Sequence, residues 1–260
     1  MILILREFFC LHRKFLLLNL VSRNIKLKYR KSYLGLFWTI LAPAFSALIY
    51  FLVFKFVMKV QVPNYLSFVL SGILAWGFFS NALSSGLESI VGNYGLVSKV
   101  PIPLNVFALN EAISLFVNFI LSQPILLILM ALTGAPFTAN LLYLPVLYFL
   151  LFIQAYSLSL VLSVLFVFFR DLRHLLSLAL QMLFYMTPVV YSQHMIPEKF
   201  NSLMYWHPLF FIFEGIHSIC STGEKMDSVH LLTSFLWTLF IFLIAILVFE
   251  KKRNFLAEKI

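Results

Sequence analysis

The chain has 260 residues, of which 62% are hydrophobic and only 11% are charged. An ordinary soluble domain has about 25% charged residues, and a soluble fold of this length could not bury so much apolar surface. The composition therefore excludes a soluble enzyme and predicts an integral membrane protein. The net charge of +9 would suggest nucleic-acid binding in a soluble protein, but the positions of the basic residues give it another explanation.

Residues 1–31 alternate basic and apolar side chains, and no window of about 18 residues is free of charge. This pattern predicts a basic amphipathic helix that lies in the plane of the cytoplasmic membrane interface. A solvated tail beside the membrane is the alternative.

Six later stretches are apolar enough to cross a bilayer of about 30 Å. The prediction is therefore an all-α integral membrane protein with six transmembrane helices in residues 32–260. Pro188 lies inside the fifth stretch, where it predicts a kink that could have two arrangements at a gate. The six stretches are Leu34–Val57, Leu66–Leu87, Val106–Leu132, Leu141–Phe169, Leu175–Tyr191 and Val229–Phe249.

The region 192–227 is more polar and contains two short apolar pieces, Phe200–Trp206 and Leu209–Ile219. Both are too short to cross a bilayer. We expect re-entrant gate helices, because broken helices inside a membrane need contact with protein or a water-filled path. Glu214 in the second piece is either hydrogen-bonded packing or a functional gate contact.

The distribution of Lys and Arg predicts the orientation. With six spans, 15 of the 19 basic residues fall on the side of the two termini. The positive-inside rule places both termini in the cytoplasm, and this topology accounts for the net charge without nucleic acid. It also puts Cys10 and Cys220 on opposite sides, so we expect no disulfide between them.

The chain has no Walker loop, so it is not expected to hydrolyse ATP by P-loop chemistry. Ionisable residues are nearly absent from the span interiors, which disfavours an ion-coupled transporter and a membrane-embedded enzyme acting on lipids. A partner must supply any energy. The predicted cytoplasmic loop 88–104 either docks in such a partner as a short amphipathic segment or is an ordinary loop.

Several segments, in order along nearly the whole chain, resemble the ABC-2 type permeases, and most closely those that export O-antigen, capsule or teichoic acid. The chain departs from the residues usual in that group at Ala75, Leu104-Asn105, His207 and His217. The similar segments are Lys26–Trp38 with Pro43, Phe68–Phe79, Asn93–Pro103, Arg170–His174, Leu180-Gln181, Phe184–Tyr191 and Ile196–Glu198.

The resemblance implies a homodimeric, multi-pass permease of the inner membrane that exports a lipid-linked polysaccharide. Two copies of a separate cytoplasmic ATPase would bind ATP and magnesium, and no cofactor is expected in this chain. A permease for another cargo, a drug or a lipid, is the alternative.

The resemblance also implies roles for particular residues. The channel would run along the dimer axis between the first and fifth spans, with aromatic rings forming a wall along which sugar faces slide and with polar side chains supplying hydrogen bonds; lipid contact or helix packing is the alternative for each ring. The expected lining residues are Trp38, Phe45, Tyr50, Gln181, Phe184, Tyr185, Thr187 and Tyr191.

Three further groups complete the expected sites. Asn93, Lys99 and Pro101 would couple the permease to the ATPase, and Pro188 and Glu214 would belong to the gate. A basic cluster would either steer an anionic lipid-linked diphosphate or simply anchor the chain; its members are Lys26, Lys28, Arg30 and Lys31.

Overall fold

The computed structural model describes residues 11–29, 33, 35–57, 62–93, 95, 102–197, 199, 204 and 206–259. The described residues form helices and connecting turns, with no β-strand among them. The α-helices are α1 (Leu11–Tyr29), α2 (Trp38–Leu52), α3 (Tyr65–Glu88), α4 (Asn105–Thr133), α5 (Leu144–Phe168), α6 (Leu172–Met186), α7 (Phe210–Ser221) and α8 (Ser228–Lys259).

Four helical segments are long and apolar enough to cross a membrane: Tyr65–Glu88, Asn105–Thr133, Ala139–Phe168 and Ser228–Lys252. They coincide with the second, third, fourth and sixth predicted spans, so the all-helical membrane class is confirmed. The third of these segments begins with a 3₁₀ turn, Ala139–Tyr143, that leads into α5.

The first and fifth predicted spans are shorter as α-helices than expected. Helices α2 and α6 have 15 residues each, about 22 Å at 1.5 Å per residue. Helical turns extend α2 on both sides, from Gly35–Phe37 before it to Val53–Val57 after it.

The expected kink at Pro188 is wrong. Helix α6 ends at Met186, and Thr187 adopts an extended conformation (ψ 136°). A residue before proline is disfavoured in the α region because the proline Cδ clashes with its backbone. Pro188 therefore ends the helix and starts a turn, whereas Pro43 and Pro124 lie inside helices.

Side-chain contacts define two ends of the helix bundle. At the first, called here the α1 end, Asn24 contacts Glu111 and Glu88 contacts Arg173. At the second, called the α7 end, Asn64 Nδ2 donates to the Ser221 carbonyl (2.8 Å). Helices α3 and α4 connect these ends in opposite directions, since Ser67 near the start of α3 contacts Thr133 at the end of α4.

The two shorter helices also run from one end of the bundle to the other. Helix α2 begins beside the second half of α3, where Trp38 and Asn81 line one cavity, and ends where the Phe51 ring stacks on Tyr65, the first residue of α3. Helix α6 begins at Leu172, and its second residue, Arg173, lies beside Glu88. The turn after it ends with Val190 beside Tyr65.

Helix α8 runs parallel to α5. Gln154 in the middle of α5 donates to Thr238 Oγ1 of α8 (2.9 Å), and the Lys252 ammonium lies 5.7 Å from the Phe168 ring at the end of α5. Both helices therefore finish at the α1 end. The intervening chain must return across the bundle, and α6 with its turn makes that return.

Helices α3 and α5 form the centre of the bundle. A Cβ on Gly86 would lie 2.4 Å from Ser159 Cβ, and Ser159 Oγ donates to the Ala82 carbonyl (2.8 Å). Such small-residue contacts let membrane helices approach closely. The short helix α7 is almost wholly buried against this centre.

Candidate functional site

Four of the predicted channel-lining residues form one aromatic cluster near the α7 end. The Phe184 ring of α6 lies 6.1 Å from Tyr50 of α2 and 5.3 Å from Tyr185. The Tyr191 hydroxyl donates to the Tyr185 carbonyl (2.7 Å). Trp76 of α3, which sequence reasoning did not single out, packs edge-on against Phe184 at 5.6 Å.

The other two predicted lining rings, Trp38 and Phe45, lie earlier on α2 than Tyr50. Trp38 lies at a cavity of about 320 Å³ between α2, α3 and α4, whose walls include Gly77 and Asn118. The Phe45 side chain is exposed on the surface of the single chain. Of the three rings predicted to line the channel from the first span, Tyr50 therefore belongs to the aromatic cluster, whereas Trp38 and Phe45 do not.

The two polar residues predicted to line the channel differ in exposure. Gln181 is exposed on α6, whereas Thr187 is fully buried. The Thr187 hydroxyl has no hydrogen-bond partner among the described residues. In this arrangement Thr187 packs inside the protomer and faces no open space.

The turn 187–191 that follows α6 is held against α3 and α7. The Tyr65 hydroxyl donates to the Val190 carbonyl (2.7 Å), and the buried Pro188 lies with its carbonyl oxygen 2.8 Å from His217 Nε2. Gly72 allows the close approach, because a Cβ there would lie 2.1 Å from the Val189 carbonyl oxygen. The predicted gate residue Pro188 is therefore part of a tightly packed junction.

Glu214, the other predicted gate residue, faces the first turn of α8. Its carboxylate lies 3.5 Å from His230 Nδ1, and the His230 ring stacks on Phe211 at 4.3 Å. Just before α7, burial lowers the pKa of His207 to about 4. The His207 imidazole is therefore uncharged at neutral pH.

At the α1 end, Asn93 connects the predicted coupling loop to α1. The Arg23 guanidinium donates to Asn93 Oδ1 (3.3 Å), and Asn93 Nδ2 donates to the Ser89 carbonyl (2.8 Å). Lys99 and Pro101, the other predicted coupling residues, lie outside the described residues.

Helix α1 docks on α4 through Asn24, whose Nδ2 donates to Glu111 Oε1 (2.7 Å). Of the four basic residues predicted to contact a headgroup or diphosphate, Lys26 is exposed on α1. Lys28 lies in the same helix, and its side chain is not described. Arg30 and Lys31 lie outside the described residues.

The structure adds three residues that sequence reasoning missed or noted only in passing: Tyr65, Trp76 and His217. Tyr65 and Trp76 each carry one polar group in an apolar helix, and buried Tyr and Trp usually place that group on a partner. His217 was visible only as a departure from the usual residue. In the described part of the chain, no group of three or more His, Cys, Asp or Glu could hold a metal ion.

The sequence profile of the ABC-2 type transporter family matches residues 16–220. The O-antigen export system permease protein RfbA of Myxococcus xanthus is 32% identical over 247 residues, which cover 94% of this chain and 95% of that protein. A protein of the same name from Klebsiella pneumoniae is 31% identical over 75% of both chains. The polysialic acid transport protein KpsM of Escherichia coli is 24% identical over 82% of this chain and 83% of its own length.

Proposed function

This chain belongs to the ABC-2 type transporter family, and we propose that it is the membrane permease of an exporter for a lipid-linked polysaccharide. The cargo moves from the cytoplasm across the inner membrane, and a separate cytoplasmic ATPase subunit supplies the energy. This role explains why the chain is a multi-pass membrane protein without a nucleotide-binding loop of its own.

The observation that carries the proposal is the match to the Myxococcus xanthus O-antigen permease over 94% of this chain. The match includes both the apolar helices and the region that precedes α8. A likeness limited to the apolar helices could arise from composition alone, whereas this one extends through the polar connections.

Six membrane crossings with both termini in the cytoplasm fit the directions of the helices. Helix α2, helix α4 and helix α6 with its turn each lead from the α1 end to the α7 end, and the long helices α3, α5 and α8 lead back. Helix α6 and its turn lie alongside α3 and extend from its last residue, Glu88, to its first, Tyr65. Because extended residues advance up to about 3.3 Å each, a short helix and an extended turn together match the length of a longer helix.

The charges at the α1 end support its assignment to the cytoplasm. Basic side chains of α1, of the α5–α6 connection and of α8 collect there, as the positive-inside rule requires. Arg170 and Arg173 both lie over the Phe166 ring, and Lys252 lies over Phe168.

The aromatic cluster of α2 and α6 is the proposed wall of the export path. It presents Tyr50, Phe184, Tyr185 and Tyr191, with Gln181 exposed one turn before Phe184. Flat rings contact the C–H faces of sugars at low entropic cost, and the amide of Gln181 offers both a donor and an acceptor. A second copy of the chain, facing the exposed sides of α2 and α6, completes the path in a homodimer.

Coupling to the ATPase takes place at the α1 end, through the loop 88–104 with Asn93, Lys99 and Pro101. The hydrogen bond from Arg23 to Asn93 joins this loop to α1, and the one from Asn24 to Glu111 joins α1 to α4, the helix that follows the loop. The Glu88–Arg173 ion pair (2.7 Å) joins the loop to α6. A displacement of the loop by the ATPase is thereby passed to the helix that carries the aromatic cluster.

Deletion of the gene for this chain tests the proposal. We expect loss of one surface polysaccharide and accumulation of its lipid-linked form on the cytoplasmic side, with both effects reversed by the wild-type chain. An unchanged surface polysaccharide would contradict the proposal. If sensitivity to a drug or the lipid composition changed in its place, the other-cargo alternative would be favoured.

A further inference from the structure

His217 is a buried side chain that connects its own helix with two other elements. It lies on α7 and is 4% exposed. Its Nε2 is 2.8 Å from the Pro188 carbonyl oxygen in the turn after α6, and its Nδ1 is 3.2 Å from Ser71 Oγ on α3. Its ring stacks on Phe68 of α3, with centroids 3.8 Å apart and planes inclined by 15°.

The hydrogen-bond directions follow from the partners. A carbonyl oxygen only accepts, so Nε2 carries a proton and donates to Pro188. An imidazole protonated at Nε2 leaves Nδ1 as an acceptor, so the single proton of the Ser71 hydroxyl is shared between Nδ1 (3.2 Å) and the Phe68 carbonyl (2.7 Å). His217 is thus the one donor that the structure gives for the Pro188 carbonyl among the described residues.

This donor matters because the turn 187–191 lies between helices in an apolar surrounding. Carbonyl groups beyond a helix end have no intrahelical partner, and a buried carbonyl without a donor is costly where water is absent. Two side chains satisfy the turn, His217 at Pro188 and Tyr65 at Val190. Tyr65 attaches the turn to α3, whereas His217 attaches it to α7.

We propose that His217 is a positioning residue that ties the buried helix α7 to the end of α6, so that α7 and the aromatic cluster on α6 move as one unit. The turn carries Tyr191, whose hydroxyl bonds to the Tyr185 carbonyl, and it begins two residues after Tyr185. A change in the position of α7 is therefore passed through one hydrogen bond to the aromatic wall. This inference rests on the proposed function only for the effect of the movement on export. The connection between α7 and α6 can itself be measured without cargo.

The distance between two spin labels measures the connection between α7 and α6 directly. Met182→Cys places one label on the exposed face of α6, one turn before its end, and Glu224→Cys places the other just after α7. With Cys10 replaced by Ser, the labelled permease is mixed with an excess of unlabelled permease, so that a dimer carries labels on one protomer only. The mixture is reconstituted in lipid nanodiscs, and the distance distribution between the two labels is recorded. The unsubstituted His217 protein should give one narrow distribution.

His217→Phe keeps an aromatic ring over Phe68 but removes the donor. We expect the distance distribution to broaden at least about twofold, because the loss of a hydrogen bond that leaves a buried acceptor unsatisfied shifts a two-state equilibrium by roughly tenfold or more. His217→Gln retains an amide donor and should restore the narrow distribution. A distribution that stays narrow in His217→Phe would overturn the proposal.

Ile219→Val is the matched control, since Ile219 is fully buried on the same helix and the substitution removes one methylene without touching a polar contact. It should lower thermal stability while leaving the label distances unchanged. Broadening by Ile219→Val equal to that by His217→Phe would reduce His217 to ordinary core packing. If His217→Phe does not fold, His217→Leu serves the same purpose with a smaller side chain.

The export assay separates this inference from the proposed function. In the complete transporter, His217→Phe should reduce polysaccharide export about tenfold at an unchanged rate of ATP hydrolysis, and His217→Gln should restore most of it. Export at the normal rate by His217→Phe would overturn the coupling role. If the wild-type complex exports no polysaccharide, the proposed function fails, and the label distances still decide whether His217 ties α7 to α6.

Discussion

Two glycines on α3 differ in their surroundings and show how single residues set the approach of the turn after α6. A Cβ on Gly72 would lie 2.1 Å from the Val189 carbonyl oxygen and 2.6 Å from His217 Cε1. A Cβ on Gly77, five residues later, would have no neighbouring heavy atom within 4 Å. Gly72 is thus needed for the contact between α3 and the turn after α6, whereas Gly77 borders the cavity beside Trp38.

Substitution of each glycine by alanine gives a matched pair. Gly72→Ala should lower the free energy of unfolding by about 1–3 kcal/mol, because the added methyl group forces the backbone of the turn away. Gly77→Ala should be neutral or stabilising by up to about 1 kcal/mol, because alanine is the better helix former. Thermal unfolding of the purified variants in detergent measures which of the two is less stable. Equal stability of the two variants would contradict this prediction.

At the scale of the helices, a polar contact joins α1 to α4. Asn24 donates to Glu111 at 2.7 Å, and Leu20, one turn earlier, is buried. The amphipathic sequence of residues 1–31 predicts a helix, and α1 forms over Leu11–Tyr29. Its place in the membrane interface remains a prediction.

Asn24→Leu should release α1 from α4, because it removes the donor and leaves the Glu111 carboxylate without that partner. The readout is the reactivity of a Leu20→Cys thiol toward a maleimide, which should rise when α1 detaches. Asn19→Leu is the control, since Asn19 is exposed on the same helix and receives the same substitution. Equal reactivity in both variants would argue that Asn24 does not hold the helix.

The ion pair between Glu88 and Arg173 connects the last residue of α3 with the first turn of α6. Its side chains are 45% and 57% exposed, so it should contribute little to stability, and its expected role is to transmit movement. Arg173→Glu should reduce export with little change in thermal unfolding. The double variant Glu88→Arg, Arg173→Glu should recover export, and failure of the double variant to improve on the single one would contradict the pairing.

Sequence patterns predicted the long helices well and the shorter elements less well, for physical reasons. Apolar length identifies a membrane span because hydrocarbon selects for it, and four predicted spans appear as long helices. The end of α6 at Met186 was missed, since the apolar run continues through Tyr191 while the backbone changes at Thr187-Pro188. The contacts of Tyr65 and His217 with that turn join residues more than 25 positions apart, which no local pattern reveals.

At the scale of the whole molecule, the parallel run of α5 and α8 decides how many times the chain traverses the bundle. Gln154 meets Thr238, and Phe168 meets Lys252, so the segment between them has to return to the α7 end. A chain that crossed the membrane only with its four long helices would place the α5–α6 connection on the side opposite to its two termini, whereas six crossings place it on the same side as the termini.

Labelling of intact cells tests this topology. A thiol at Glu224→Cys, exposed at the α7 end, should react with a membrane-impermeant maleimide added from outside. A thiol at Lys251→Cys, exposed near the end of α8, should react only after the cells are permeabilised. Reaction of Lys251→Cys in intact cells would contradict a cytoplasmic C-terminus. A thiol at Asp171→Cys, exposed in the α5–α6 connection, lies outside with four crossings and inside with six, so its reaction in intact cells would contradict six crossings.

The central claim is that this chain is the passive membrane path of an ATP-driven polysaccharide exporter. Its most direct measurement is movement of a lipid-linked polysaccharide across liposomes that contain the purified chain with its ATPase subunit. We predict transfer that requires ATP and stops when the ATPase carries a substitution that blocks hydrolysis. Transfer by this chain alone, or no ATP-dependent transfer by the active complex, would contradict the account.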